Sequence, residues 1–231
     1  MSLELLELEV RGEPITTARV SGRDDLAAAV AALGLAPSPV LVLVGGAADM
    51  SEDDARLVGQ AISAAIVPVV ERVGATVVDG ATRVGVMQLV GRARAEQSAD
   101  FPLVGVVAAG LVDETELEEH HTHFVLVPGD DWGDESELLS AFATALANGA
   151  HGVTVLANGG EIAWRDAASS IAEGRPVVVL AGSGRAADEL AAAETPRARD
   201  LHESPLLTVV AVTDSDAVAT AVADALDGSR G

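Results

Sequence analysis

Cysteine, lysine and tyrosine are missing from this chain altogether. Without cysteine there are no disulfides, no thiolate metal sites and no cysteine nucleophile. Without lysine there is no Schiff base, which removes pyridoxal phosphate chemistry, and no lysine for a phosphate loop of the NTPase type. All 14 basic residues are therefore arginine, and aromatic residues make up only 2% of the chain. A core here has to be built from Val, Leu, Ile and Ala, the composition of a buried parallel sheet under alanine-rich helices. No apolar run approaches the ~20 residues of a membrane span. The start of the chain, Met1–Pro14, alternates Leu with Glu and has no basic stretch leading into an apolar one, so it does not read as a signal peptide. A cytoplasmic protein with no membrane partner is expected.

What is abundant is acid. Thirty-six Asp and Glu give a formal net charge of −22, which repels nucleic acid and anionic membranes alike. No nucleic-acid partner is expected. The charge also keeps an apolar chain in solution, a use that requires no acidic function. Any anionic ligand must be held by short-range donors, because the overall field opposes it. Hydrophobic residues are 49% of the 231, enough for a large core.

Short, unbroken apolar runs recur along the chain: Val40–Val44, Thr76–Val78, Leu103–Val107, Phe124–Val127, Val153–Leu156, Val177–Leu180 and Leu207–Val212. Runs that do not alternate with polar residues indicate strands buried on both faces. Between them, helical spacing predicts helices from Ser51 onward, with Pro68 kinking or restarting the first. Further helices are predicted over Val84–Ala95, Glu135–Ala147, Ile162–Ala172, Arg185–Ala193 and Asp216–Leu226. Strand and helix in this alternation predict an α/β, Rossmann-like, doubly wound and mostly parallel sheet of six or more strands, with helices on both faces. Residues 1–37 read as an extension, a strand or hairpin plus a helix over Asp24–Leu33 that covers a sheet edge. The segment Ala193–Pro205 reads as a polar connection, and 1–231 as a single domain.

In such sheets ligands sit beyond the carboxyl ends of the strands, and here that edge is rich in glycine. Asp79-Gly-Ala-Thr-Arg-Val-Gly85 follows a strand and opens a helix. It keeps the spacing of a dinucleotide fingerprint with Thr82 in place of the middle glycine. Gly80 and Gly85 would let backbone approach a ligand, Thr82 offers a hydroxyl, Arg83 a cation, and the helix start offers N–H groups. Gly182-Ser183-Gly184-Arg185-Ala-Ala187 is a second such turn, with Arg185 placed to clamp a phosphate. Gly45-Gly46 and Asn158-Gly159-Gly160 lie at the same edge. A ligand-free tight turn is the competing reading for each motif. Ser183 is not a nucleophile elbow, since Ala181 and Arg185 stand where glycines are needed.

The loop Pro128-Gly129-Asp130-Asp131-Trp132-Gly133-Asp134-Glu135 leads into a helix. Its acids suit acid/base work near a sugar or a ribose hydroxyl; alternatively they only complement the helix dipole. His120-His121-Thr-His123 invites a metal reading. Zinc needs three or four ligands, and only Asp130 or Asp131 would be left to complete the set, so structural hydrogen bonding is the better reading and no metal is assigned.

Taken together, Val40–Gly46, Asp79–Met87 with Gly91, His121–Val127, Asn158–Gly160 and Gly182–Asp188 occur in the order seen in the SLOG superfamily. The chain resembles its LSDAT branch, in the prokaryotic form of the domain found at the N-terminus of melastatin-type TRP channels, over roughly residues 38–195. The resemblance implies a Rossmann-like fold and a pocket for nucleotide-derived, ADP-ribose-like ligands. The matching positions are Gly45, Gly46, Gly80, Thr82, Gly85, Met87, Gly182, Ser183, Gly184 and Arg185; Ala81 stands where many relatives have glycine. A sister branch hydrolyses nucleoside monophosphates at the glycosidic bond with a P-G-G-x-G-T-x-x-E loop. Pro128-Gly129, Gly133 and Glu137 echo that loop if one residue is inserted, but Asp130 replaces the second glycine and Asp134 the threonine. The expectation is therefore a ligand-binding sensor that requires no cofactor, binds a small nucleotide and acts through an effector, with a homo-oligomer left open. Hydrolysis, with Glu137 or Glu135 as acid/base, is the alternative.

Overall fold

The computed structural model describes residues 3–47, 49–112 and 117–228. The outermost residues of the expected extension and of the final helix segment, 1–2 and 229–231, lie outside this range. Nine strands form one sheet: β1 (Glu4–Val10), β2 (Glu13–Arg19), β3 (Val40–Gly45), β4 (Thr76–Asp79), β5 (Leu103–Ala108), β6 (His123–Val127), β7 (Gly152–Ala157), β8 (Val177–Ala181) and β9 (Leu207–Ala211). Their order is β1-β2-β6-β5-β4-β3-β7-β8-β9. Among the described strands, the β1–β2 hairpin is antiparallel and the other strand pairings are parallel. The predicted α/β doubly wound class is what forms.

The unbroken runs form strands because each residue of a central strand has an apolar layer waiting on its own side of the sheet. Val40, Val42 and Val44 of β3 point into one layer. That layer is covered by α1 (Leu26–Ala32), α5 (Ser136–Ala147), α6 (Glu161–Ala172), α7 (Arg185–Ala192) and α8 (Pro196–His202). Leu41 and Leu43 point into the other, covered by α2 (Glu52–Ala61), α3 (Val67–Val73), α4 (Gly85–Glu96) and α9 (Ser215–Asp227). A smaller cluster of Val10, Ile15, Val107, Leu117, Phe124 and Leu126 fixes the hairpin end.

Two expectations change, and a third, the helix restart at Pro68, is met. The N-terminal hairpin adds two strands to the sheet, β2 pairing parallel to β6, while α1 lies on a face against α5. It does not cover the edge. Pro68 restarts its helix through a π-helical turn, Ile62–Ile66, the local widening expected where a proline removes an N–H from the ladder. The supposed polar connection contains α8, whose Thr195 side chain caps Ala198 N with Pro196 in the first turn, a signal present in the sequence.

Candidate functional site

The strand order reverses at β3, which has β4 on one side and β7 on the other. In an open α/β sheet the crevice beyond such a reversal is where ligands enter, because the crossovers on its two sides leave toward opposite faces. The residues that follow β3 and β7 are Gly45-Gly46 and Asn158-Gly159-Gly160, so two of the predicted glycine turns meet at the switch point. Gly46 accepts a bond from Val86 N, 2.9 Å, at the start of α4. That approach requires Gly85, whose φ is +63° and where a Cβ would collide with the Gly46 carbonyl.

On the other flank the turn after β8 is locked to the turn after β7. Asn158 is fully buried and its amide group donates to Ser183 O, 2.6 Å, and to Asp54 Oδ2, 3.3 Å. Its side-chain oxygen accepts from Gly159 N, 2.8 Å. Ser183 Oγ accepts from Asn158 N, 2.7 Å, and donates to Leu180 O, 2.6 Å. Ala186 N and Ala187 N, the second and third amides of α7, donate to Gly159 O and Asn158 O. These polar groups are consumed in holding two loops together. Asn158, Ser183 and these two amides shape the site without offering donors to a ligand.

Arg185 is different. Its φ is +52°, a left-handed conformation that a side-chain-bearing residue adopts only when its surroundings impose it. Here the bonds from Ala186 and Ala187 impose it. The guanidinium is thereby laid over Gly160, where a Cβ would stand 3.2 Å from Nη2. Its charge partner is Asp49 at 3.9 Å, and the two side chains are 42% and 85% exposed, so this ion pair is weak and replaceable. Asp188, three residues on, accepts from Gly182 N, 2.6 Å.

The structure does not bring every expected residue to this point. Thr82 is buried under Leu117, with which it forms a bridge. Arg83 pairs with Glu119 at 3.3 Å, and Glu119 also holds Arg11 at 3.0 Å. Gly80 faces open space. Met87 is core, so it packs and does not line the site. A hollow of about 190 Å³ lies beside the Gly46–Gly85 contact, lined by Ala47, Met50, Val84, Gly85 and Gln88. This is smaller than the usual volume of a small-molecule pocket. Larger hollows lie elsewhere, including one of about 380 Å³ around Arg175 and His151. That one sits at the amino ends of the strands, where α5 and α6 end with their carbonyls, and strand topology favours the switch point over it.

The Gly129–Glu135 loop lies against α6, with Gly133 under the Arg165 guanidinium and beside Ile162, whose Cγ1 a Cβ would approach to 3.1 Å. The loop closes on its own acids: Asp134 Oδ2 accepts from Asp130 N and Asp131 N, both 3.0 Å, and Glu135 Oε2 accepts from Gly133 N, 3.0 Å. The amides that a phosphate would use are thus already occupied by the Asp134 carboxylate, which those two bonds hold below its ordinary range. Burial pushes Glu135 up instead. Glu137 is exposed.

A family model described as SLOG in TRPM, prokaryote, matches residues 38–221. The chain belongs to this SLOG family. No curated protein matches it in sequence. Among solved structures, the SLOG domain is similar to the molybdenum cofactor binding protein of Rippkaea orientalis, at 12% identity and a TM-score of 0.55, over 78% of this chain and 93% of that one. It is similar to the molybdenum cofactor carrier protein of Chlamydomonas reinhardtii, at 15% and 0.52, over 80% and 98%. A third is the structural-genomics protein TM1055, at 18% and 0.54, over 80% and 99%. These likenesses bear on the fold. Among the described residues of this SLOG domain, no helix is long and apolar enough to cross a membrane.

One feature of the SLOG domain escaped the sequence reading. Beside the Gly80–Gly85 turn, buried His121 joins Asp79 Oδ1, 2.8 Å, to Glu118 Oε2, 2.9 Å. Glu118 also accepts from His120 Nδ1, 2.5 Å, and His120 N, 2.9 Å. Burial pushes the His121 ring down, but Asp79 and Glu118 outweigh it and raise its pKa to about 9. The histidines thus serve structural hydrogen bonding, and no group of three or more metal-ligating side chains occurs among the described residues. Beside the histidine run, Gly91 is a trace of it in sequence: its missing side chain makes room for the Glu118 carboxylate.

Proposed function

We propose that this SLOG domain binds a nucleotide-derived ligand of the ADP-ribose type at the β3/β7 switch point, with a ligand phosphate against Arg185. The observation that carries this reading is the strained, imposed backbone of Arg185, which lays an exposed cation over the glycine turn of Gly160. In a chain of net charge −22, such a placement opposes the overall field, and strain is retained where function requires it. Relatives of the same fold named as binding or carrying the molybdenum cofactor support a small-ligand use of this architecture. The domain acts as a cytoplasmic sensor, passing ligand occupancy to an effector protein. The closed 128–135 loop speaks against the alternative, a nucleoside-monophosphate glycosidic hydrolase, because Asp134 fills the amide cradle that such an enzyme would offer to phosphate.

A thermal-shift screen with ADP-ribose, cyclic ADP-ribose, NAD, AMP and ATP, followed by calorimetry on the ligands that stabilise the protein, tests the reading. A charge-assisted bidentate contact is worth roughly 1.5–3 kcal/mol, or about tenfold to a hundredfold in affinity. Arg185→Ala is expected to lose that much, while Arg72→Ala, at the far end of α3, leaves affinity unchanged. Equal affinities in all three proteins would place the phosphate elsewhere.

A further inference from the structure

The two edges of the sheet are built differently. At one end, β1 exposes Glu4, Glu7 and Glu9, the kind of charge that keeps a free edge from adding strands. At the other end, β9 reads Leu-Thr-Val-Val-Ala, with no charge, proline or glycine. Thr208, Val209 and Ala211 are exposed. Val177 N donates to Leu206 O, 2.8 Å, and Val212 N to Ala181 O, 2.8 Å. In a parallel pair, that register turns the N–H and C=O groups of Leu207, Val209 and Ala211 away from β8. Leu207 N and Ala211 O are used locally, by Ser204 O and Asp214 N. Among the described residues, Leu207 O, both backbone groups of Val209 and Ala211 N are left for a further strand.

What lies beside this edge selects the strand. A hollow of about 750 Å³ lies between Thr208 and α9, lined by Asp214, Asp216, Thr220 and Asp224 with two alanines. Its charged groups are all carboxylates. Asp214 already caps Ala217 N, which leaves Asp216 and Asp224, both exposed. With Thr220 between them at every fourth residue, they form one row, about 12 Å long at about 1.5 Å per residue. Alternate residues of a strand share a face at a spacing of about 6.6 Å, so residues i and i+4 of an added strand span nearly the same length. No competing cation is free on the helix that precedes β9. Arg197 of α8 pairs with Glu161, and Arg199 donates to Ala193 O and Glu194 O.

We propose that the free edge of β9 docks an extended segment of a partner protein, with basic side chains on the face that meets Asp216 and Asp224. Main-chain bonds then supply affinity, and the alternate side chains supply specificity. A second copy of this chain fits poorly, since its net charge of −22 opposes the same aspartate row. The surface is separate from the switch-point site and does not depend on which ligand binds there.

The test is fluorescence anisotropy with a labelled seven-residue peptide alternating arginine with valine, and with the same peptide carrying glutamate for arginine. The arginine peptide is expected to bind the parent protein and the glutamate peptide to show no binding. Val209→Pro removes an outward N–H that the ladder does not use, a substitution an edge strand tolerates, so its melting temperature should stay close to the parent's. It changes no charge, yet it should weaken the arginine peptide at least about tenfold by blocking the added strand. Asp216→Asn with Asp224→Asn keeps the edge and should also weaken it about tenfold, two exposed ion pairs being lost. Equal binding to the parent and a folded Val209→Pro would mean that the overall negative charge, not the edge, holds the peptide, and would refute the proposal. Equal binding of the glutamate peptide, or no effect of the aspartate pair, would refute it as well. A dimer seen by light scattering in the parent and lost in Val209→Pro would assign the edge to a second copy and overturn the basic partner.

Discussion

Replacing His121 by glutamine tests the buried charge network quantitatively. The His121 side chain is completely buried between carboxylates that are themselves buried, Asp79 and Glu118. In the folded protein its pKa is raised from 6.5 to about 9, so the native state holds the proton more tightly than the unfolded chain does. The resulting stabilisation is fully present below pH 6.5, declines as the pH rises and is gone above about 9. At about 1.4 kcal/mol per pKa unit, the difference amounts to about 3 kcal/mol. Glu118 behaves oppositely. Burial pushes it up, but its hydrogen bonds to and the charge of His121 prevail and hold it below 4.5, so its contribution is present above that value and fades in acid. His121→Gln leaves two buried carboxylates without their cation, a loss of about 3–5 kcal/mol near pH 6. Urea unfolding followed by far-UV circular dichroism at pH 6, 7.5 and 9 should show the parent losing about 3 kcal/mol across the series and the variant losing far less. Parallel curves for the two proteins would refute the claim that His121 is a buried imidazolium.

Other substitutions probe the loops. Asn158→Ala removes the bonds to Ser183 O and Gly159 N and places alanine at a φ of +58°; a loss of about 2–4 kcal/mol in urea unfolding is expected. Gly85→Ala should cost about as much or prevent folding, because of the collision with Gly46, whereas Gly80→Ala, with nothing near its Cβ, should leave the unfolding midpoint unchanged. Incubation with AMP, followed by chromatography for free adenine, should show no release above background; release that disappears in Glu137→Gln would restore the hydrolase reading.

Much of the frame was legible because parallel strands buried on both faces leave unbroken apolar runs. Val40–Val44 and Val177–Leu180 needed no tertiary information to be read as strands. The glycine turns were legible for the same local reason, and their position at strand ends implied the edge of the sheet where they meet. What could not be read was pairing between distant residues. Asp79 and His121 are 42 positions apart, and nothing in the segment around Glu118 marks it as the carboxylate that returns under α4. Arg83 also stands in a glycine turn in sequence, second to Arg185 as a phosphate partner, and only the fold shows Glu119 beside it. Asn158 and Ser183 looked like ligand donors, but polar groups at tight loop junctions are used first by backbone that has no other partner. The β1–β2 hairpin was read as an appendage since its Leu–Glu alternation reflects one exposed face, which says nothing about the strand it joins.

The most direct measurement is a crystal structure of the protein grown with ADP-ribose. The account predicts ligand density beyond the carboxyl ends of β3 and β7, with a phosphate oxygen in hydrogen-bond contact with the Arg185 guanidinium and Asp49 displaced from it. Well-ordered ligand bound away from Gly46, Gly160 and Arg185, such as in the hollow around Arg175 and His151 at the opposite end of the sheet, would contradict it.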